Sequence, residues 1–174
     1  MLSKKLEAAY NAQINAEFWS AYLYLSMAAF CHNEGFNGIA NWFQVQFKEE
    51  QDHAMILYNY VIARGSKVTL APIAPVDTKW NSLLDAFKKT YEHEQKVTAL
   101  INNLYSLALD DKDFASQSML KWFIDEQVEE EQNASDIINN LKLLNGNNYG
   151  LFMLDKDLAT RVYVQAAPLT NAAE

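Results

Sequence analysis

The sequence predicts an all-α chain: an antiparallel four-helix bundle with one long crossover between helices 2 and 3, plus a short fifth helix at the C-terminus. Three observations predict it. Of 174 residues, 50% are apolar and only 5 are Gly and 3 Pro, and so few breakers favour helices over many short strands. Four long segments carry apolar residues at alternating steps of four and three, the spacing of a bundle seam. The connections are short after the first and third segments and long in the middle, so each short-linked pair folds back on itself and the middle link spans the bundle. One domain over residues 1–174 is expected, with the bundle over about 3–144, a short helix over about 151–164 and a polar tail over 165–174.

The first helix is expected from about Ser3, a residue suited to an N-cap, to Cys31, where HNEGFNG breaks it. The second runs from about Phe36 to Arg64 and stops at Gly65, a natural residue just past a helix end. SKVTLAPIAPVDTKW follows, with Pro72 and Pro75 and no helical period. The third helix is expected from about Thr78 to Leu109. DDKD separates it from the fourth, about Asp113 to Leu144, which NGNNYG stops. The fifth, about Leu151 to Val164, has an apolar stripe of Leu151, Leu154, Leu158 and Val162 that needs a partner, either another copy or the chain's own bundle.

Composition narrows the function. Lys and Arg total 14 against 22 Asp and Glu, a net charge of -8. Such a chain repels nucleic acid and anionic membrane and attracts cations, although ordinary solubility explains the charge as well. The single cysteine, Cys31, rules out an internal disulfide framework and any CxxC metal knuckle, and fits a reducing cytoplasm. The N-terminal MLSKKLEAAYNAQINAEF lacks the apolar core of a secretory signal. No stretch approaches the roughly 18 uninterrupted apolar residues of a membrane span.

Four seams can be written out. They read Leu6, Tyr10, Gln13, Glu17, Ser20, Tyr24, Met27 and Cys31; Ile39, Phe43, Gln46, Glu50, His53, Leu57 and Tyr60; Leu84, Phe87, Tyr91, Glu94, Thr98, Ile101, Tyr105 and Ala108; and Leu120, Phe123, Gln127, Glu130, Ala134, Ile137 and Leu141. Each is mainly apolar or aromatic at its ends and acidic near its middle. Glu17, Glu50, Glu94 and Gln127 lie at matched depth in helices of roughly 28 residues, about 42 Å at 1.5 Å per residue. Mid-points of side-by-side helices meet whichever way each points, so these residues should share one layer.

An unpaired carboxylate in an apolar core costs several kcal/mol or stays protonated. Glu17, Glu50, Glu94 and Glu130 would share one site with no Lys or Arg at neighbouring seam positions. Two divalent cations balance four carboxylates, and two trivalent cations with a bridging oxide balance them again. His53, one turn from Glu50, adds an imidazole, and an oxygen-rich site with one imidazole suits iron or manganese, with zinc also accommodated. A lone ExxH is a weak signal. Four acids at matched depth on four seams are a specific one, and the plain alternative is a buried polar network that fixes bundle register.

At these residues the chain resembles a bacterial non-haem ferritin, from INAEFWSAYLYL through FKEEQDHA, YEHEQ and WFIDEQVEEEQ to NNYGLFMLD. The resemblance implies a ferroxidase: a hollow shell of 24 subunits that takes in iron(II), oxidises it with dioxygen or peroxide at an intrasubunit dinuclear centre and stores it as ferric oxide. By that resemblance Glu17, Glu50 and His53 bind the first iron, Glu50 bridges to the second, and Glu94 and Glu130 complete it. Gln127 sits beside the pair, Tyr24 matches the tyrosine found there, and Trp122 matches a tryptophan near it. Glu49, Glu126 and Glu129, each one residue off a seam, match the acids of a third iron site; a solvated acidic face is the alternative for them. Asp125 and Glu131 read as solvated, and His32 and His93 as ordinary polar residues.

Two departures separate the chain from haem-binding bacterioferritins. The Met that follows their second-helix Glu is Gln51 here, and their repeated ExxH on the fourth helix is Gln127 and Glu130. No haem is expected. The competing functions are a solitary di-iron oxidase or peroxidase and a non-catalytic helical interaction protein. Rubrerythrin-like peroxidases would need CxxC pairs, which a chain with one cysteine lacks.

Overall fold

Caps fix most of the helix starts. Ser3 Oγ accepts from Leu6 N at 3.1 Å, Ser82 Oγ from Asp85 N at 3.0 Å, and Asp113 Oδ1 from Ser116 N at 2.9 Å, each satisfying an amide that the first turn leaves without a partner. In the computed structural model, which describes residues 1–170, the helices are α1 (Lys4–Asn33), α2 (Asn37–Ala63), α3 (Leu83–Asp110), α4 (Phe114–Leu144), α5 (Asn148–Leu158) and α6 (Ala167–Thr170). The first four form the bundle, with α1 against α2 and α3, and α3 against α4.

Three boundaries differ from the sequence reading. Helix α3 starts at Leu83, not near Thr78, because Ser82 caps it: Ser82 Oγ accepts from Asp85 N, while Asp85 Oδ2 reaches back to accept from Asn81 N at 2.9 Å. Helix α5 starts at Asn148, three residues early, because Asn147 caps Gly150 N at 3.1 Å. It ends at Leu158 rather than Val164. Val162 is therefore off the apolar stripe and exposed, whereas Leu154 is buried and Leu151 and Leu158 pack on the bundle. The expected polar tail is not a free tail over 165–170: it contains α6, and Ala166 and Leu169 pack on the bundle core. Residues 171–174 of that tail lie outside the described residues.

The long link runs back along α1. Asn11, Asn15 and Trp19, spaced by four, donate to the carbonyls of Lys67, Ala71 and Pro75 at 2.9, 3.1 and 3.3 Å. Polar residues that interrupt the first helix's apolar pattern are thus its anchors for the crossover. At the other end Asp155 Oδ1 accepts from Ile39 N at 2.9 Å and caps α2 from a distance. Gly38 permits this approach, since a Cβ there would lie 1.6 Å from the Asp155 carbonyl oxygen.

The core has two apolar clusters. One gathers Tyr24, Met27, Ile39, Phe43 and Phe87, the other Leu6, Tyr10, Leu57, Ile101 and Phe123. Burying each such side chain contributes about 1.5–3 kcal/mol, so the clusters carry the fold. Between them the bundle is polar: Gln13, Glu17, Gln46, Glu50, His53, Glu94, Gln127 and Glu130 are all buried. This is the layer that the matched seam depths predict.

Candidate metal centre

Each long helix contributes to the layer. Glu17 comes from α1, Glu50 and His53 from α2, Glu94 from α3, and Gln127 and Glu130 from α4. The three-residue step from Glu50 to His53 turns a helix by about 300°, which keeps both on one face. One ligand atom from each of Glu17, Glu50 and His53 lies within 4.8 Å of the others. Among the described residues this is the one such grouping of acids, His and Cys. His53 Nδ1 is 3.4 Å from Glu50 Oε2, and His53 Nε2 is 4.0 Å from Glu126 Oε1. The imidazole therefore faces the buried layer with one nitrogen and the flank with the other.

The remaining acids are held by neutral donors. Gln13 Nε2 donates to Glu17 Oε1 at 2.8 Å, and Gln46 Nε2 to Glu130 Oε2 at 2.7 Å. Glu94 accepts from the Tyr24 hydroxyl and, at 3.2 Å, from Gln127 Nε2, which also reaches the Glu94 carbonyl and Thr98 Oγ1 at 3.3 Å each. Glu17 Oε2 and Glu50 Oε2 are buried without any hydrogen-bond partner. Two orphaned carboxylate oxygens beside an imidazole suit a cation, because such atoms otherwise cost free energy with no return.

Electrostatics agree. Burial pushes the Glu50 carboxyl well above its ordinary range, and the nearby Glu94 and Glu17 push it further. Glu130 is likewise raised by burial and then by Glu94 and Glu50. Glu17 is raised by burial, partly offset by His53. Burial raises Glu94 to about 7 despite the Tyr24 and Gln127 hydrogen bonds, and burial also raises the Tyr24 phenol. Protonated acids in a dry layer are what remains when the charge has no partner, and a divalent cation supplies one.

The flanking acids lie outside this layer. Glu49 and Glu126 are half-buried and Glu129 is exposed. Burial raises Glu49 and Glu126. Glu49 is bound by Arg161, Nη2 to Oε2 at 2.7 Å. Trp122 stands edge-on to His53, with ring centroids 5.5 Å apart. Asp125 is exposed, but Glu131 is half-buried and accepts from Thr98 Oγ1 at 2.6 Å, so it is not the solvated acid expected. His32 is exposed. His93 bonds Ser20 Oγ at 2.8 Å behind Glu94. Cys31 is buried with its thiol pushed up to about 12, an unreactive core residue.

Three participants escaped the sequence reading. Gln13 and Gln46 stood on the seams but drew no role. The signal for them was their repeated place four residues before Glu17 and Glu50. Arg161 had no local signal, since its partner is 112 residues away.

Comparison with known proteins points the same way. Residues 7–144 match the family model described as the ferritin-like domain. A bacterial non-heme ferritin of Staphylococcus aureus strain MRSA252 is 40% identical over 163 residues, covering 94% of this chain and 98% of its own. One from Bacteroides fragilis strain 638R is 40% identical over 161 residues, 92% of this chain and 100% of its own. Among solved structures, the open pore ferritin of Archaeoglobus fulgidus is 44% identical with a TM-score of 0.92, covering 93% of this chain and 100% of that one. A closed form of the same ferritin, engineered by mutagenesis, gives 43% and 0.93, covering 94% and 100%. With the match spanning most of the chain and the fold shared throughout, this chain belongs to the ferritin family.

Proposed function

We propose that the chain is a cytoplasmic iron-storage protein without haem. It oxidises Fe(II) with dioxygen or peroxide at an intrasubunit dinuclear centre and keeps the ferric oxide inside a homo-oligomeric shell of 24 subunits. The observation that carries this reading is the pair of buried, unpartnered oxygens, Glu17 Oε2 and Glu50 Oε2, gathered with His53. Family membership supports iron as the cation. Neither nucleic acid nor membrane has a role in it. Among the described residues no helix is long and apolar enough to cross a membrane.

Iron is the substrate. Glu17, Glu50 and His53 would hold the first Fe(II), with Glu50 shared to a second held by Glu94 and Glu130. Each Fe(II) yields one electron; two electrons and two protons convert dioxygen to hydrogen peroxide, or peroxide to two waters. The layer's own residues position and release protons. Carboxyls raised by burial lose their protons when a cation arrives. Gln13, Gln46 and Gln127 hold one oxygen of Glu17, Glu130 and Glu94 in place, and the Tyr24 hydroxyl holds the other oxygen of Glu94. Glu50 keeps an unbonded oxygen, as a ligand shared between two ions requires. Glu49, Glu126 and Glu129 would form the third iron site.

One observation favours an organic-substrate oxidase instead. A cleft of about 400 Å³ between α3 and α4, lined by Thr98, Ile101, Gln127 and Glu131 among others, opens beside Gln127. Aerobic addition of Fe(II) decides between them. Storage gives a soluble, protein-associated ferric core of many ions per subunit. Saturation at two or three ions per subunit would favour the solitary di-iron centre. Size exclusion adds a second measure, on the order of half a megadalton for 24 copies of a 19.9 kDa chain.

A further inference from the structure

After α5 the chain turns back along α2 as a strap. Asn41 Nδ2 fastens its start, donating to the carbonyls of Leu158, Ala159 and Arg161 at 3.3, 3.4 and 3.0 Å. The Arg161 guanidinium lies over the Trp42 ring, 4.8 Å from its centroid, with Nη1 3.5 Å from the Trp42 carbonyl. Its Nη2 donates to Glu49 Oε2 at 2.7 Å. Further on, Tyr163 Oη and Ala166 N both donate to Asp52 Oδ2, at 2.7 and 2.9 Å. Leu169 then packs on the apolar cluster beyond the polar layer. The strap is thus tied to α2 at Asn41, Glu49 and Asp52, on both sides of Arg161.

This placement matters for Glu49. A mobile surface arginine would share its charge between solvent and several acids, and its ion pair would be worth little. Arg161 is stacked and anchored, and both partners are about four-fifths buried at the side chain. Its charge is fixed on one of the two carboxylate oxygens of Glu49. Glu49 sits one residue from Glu50, so the same charge also stands at the mouth of the flank. No lysine or arginine holds the acids of the central layer in this way among the described residues.

We propose that Arg161, carried on the C-terminal strap, is a built-in competitor for the third cation: the flank takes Fe(II) only when Glu49 exchanges the guanidinium for the metal. The inference rests on the assignment of Glu49, Glu126 and Glu129 to a third iron site. It makes the strap a determinant of how strongly that site binds, and hence of when it fills relative to the dinuclear pair. The two ions of the central layer displace no protein cation. The third must displace one, so it binds last. If Arg161 merely pinned the tail, its charge would be irrelevant to iron.

Anaerobic titration calorimetry with Fe(II) on the assembled protein tests this, comparing wild type with Arg161→Gln, Arg161→Lys and Glu49→Gln. Wild type should bind two ions per subunit and a weaker third. In R161Q the third should tighten roughly five- to tenfold, the order expected for removing one partly buried charge, with the first two unchanged. R161K keeps the charge but loses the stacking on Trp42, so its third ion should bind with an affinity between those of wild type and R161Q, which a purely structural role would not require. A third ion that is lost in E49Q yet unchanged or weaker in R161Q would overturn the competition and leave the third site standing. So would R161K binding the third ion more tightly than R161Q. If neither wild type nor R161Q binds a third ion, the third-site assignment falls and the inference falls with it.

Discussion

The polar layer has two unlike halves. On the α1–α2 side, Glu17, Glu50 and His53 face one another within 4.8 Å, and two carboxylate oxygens have no hydrogen-bond partner. On the α3–α4 side, Glu94 and Glu130 each have donors: Tyr24 and Gln127 for one, Gln46 for the other. In the first half each acid keeps one buried oxygen free for a cation, with Gln13 holding only the other oxygen of Glu17. In the second, both oxygens of Glu94 accept from neutral groups, so Glu94 must yield a bond before it can face a metal, while Gln46 holds one oxygen of Glu130. Buried polar atoms are a cost unless paired, so the difference shows where the protein leaves that cost for the metal to relieve. It also predicts an order of filling for the proposed centre, with the α1–α2 half occupied first and Glu50 linking it to the other.

The strongest way to break this comparison is to remove the link. Glu50→Ala deletes the acid that faces both halves, and the fast oxidation of two Fe(II) per subunit should fall by on the order of 100-fold or more. The fold should survive. Glu50 is pushed up by burial and then by Glu94 and Glu17, so its loss relieves repulsion in the metal-free protein. Stopped-flow absorbance at two irons per subunit measures the rate, and wild-type speed would place the centre elsewhere.

A somewhat smaller effect sharpens the order of filling. His53→Ala should weaken the first Fe(II) by about 10–100-fold in anaerobic titration, whereas Gln46→Ala should act chiefly on the second by freeing Glu130. The opposite pattern would show that the α3–α4 half fills first and that the hydrogen bonds seen there are easily given up.

The polar layer and the C-terminal strap differed in how far the sequence disclosed them. Glu17, Glu50, His53, Glu94, Gln127 and Glu130 converge as their seam depths required, because an acid on an apolar stripe has few other places to go. The helices of the bundle were legible for the same reason, with strong periodicity and real caps at Ser3 and Asp113. Legibility failed where structure depends on distant partners. The start of α3 turned on a local competition that Ser82 won. The end of α5 and the strap depend on Asn41, Glu49 and Asp52, more than 100 residues earlier in the chain, and no local period encodes that. Gln13 and Gln46 were visible as positions, but their targets were not: Gln13 serves its own helix, while Gln46 crosses to α4.

A third effect reads both halves together through pH. In the metal-free fold Glu94 sits at about 7 against an ordinary 4.5, raised by burial, and Glu50 and Glu130 are also raised by burial. Between those values the folded protein keeps protons that the unfolded chain has released. Stability from this source is therefore greatest below about 4.5 and is lost as pH rises through about 7, the sign expected for raised carboxyls. Denaturant unfolding of metal-free protein should show a loss on the order of 1–2 kcal/mol between about pH 5.5 and 8. Redox-inert Zn(II) should abolish that slope. A metal-free protein that gains stability over this range would mean the layer is already ionised and balanced.

The smallest expected effect separates the whole layer from its flank. Glu49, Glu126 and Glu129 stand one residue off the seams, about 100° around each helix, so they cannot point into the layer. Removing all three together takes away the proposed third-site ligands while the proposed dinuclear ligands and their charge balance remain. The first round of oxidation at two irons per subunit should then change little. The oxygen consumed per iron, or the rate of a second addition to the same sample, should shift by about twofold, since a further one-electron donor and a route out of the centre are lost. A solvated acidic face would bind iron weakly and change neither quantity. Glu49 and Glu126 are not fully solvated, however: both are half-buried, and Glu126 stands 4.0 Å from His53 Nε2. That contact gives the flank a physical line to the first half of the layer and sets the control. Glu129→Gln alone, at the exposed end of the flank, should move the second round less than Glu126→Gln does. Equal effects from the two would remove the Glu126–His53 contact as the link between flank and layer, and unchanged stoichiometry and second-round kinetics in the triple variant would leave the dinuclear centre standing with no third site beside it.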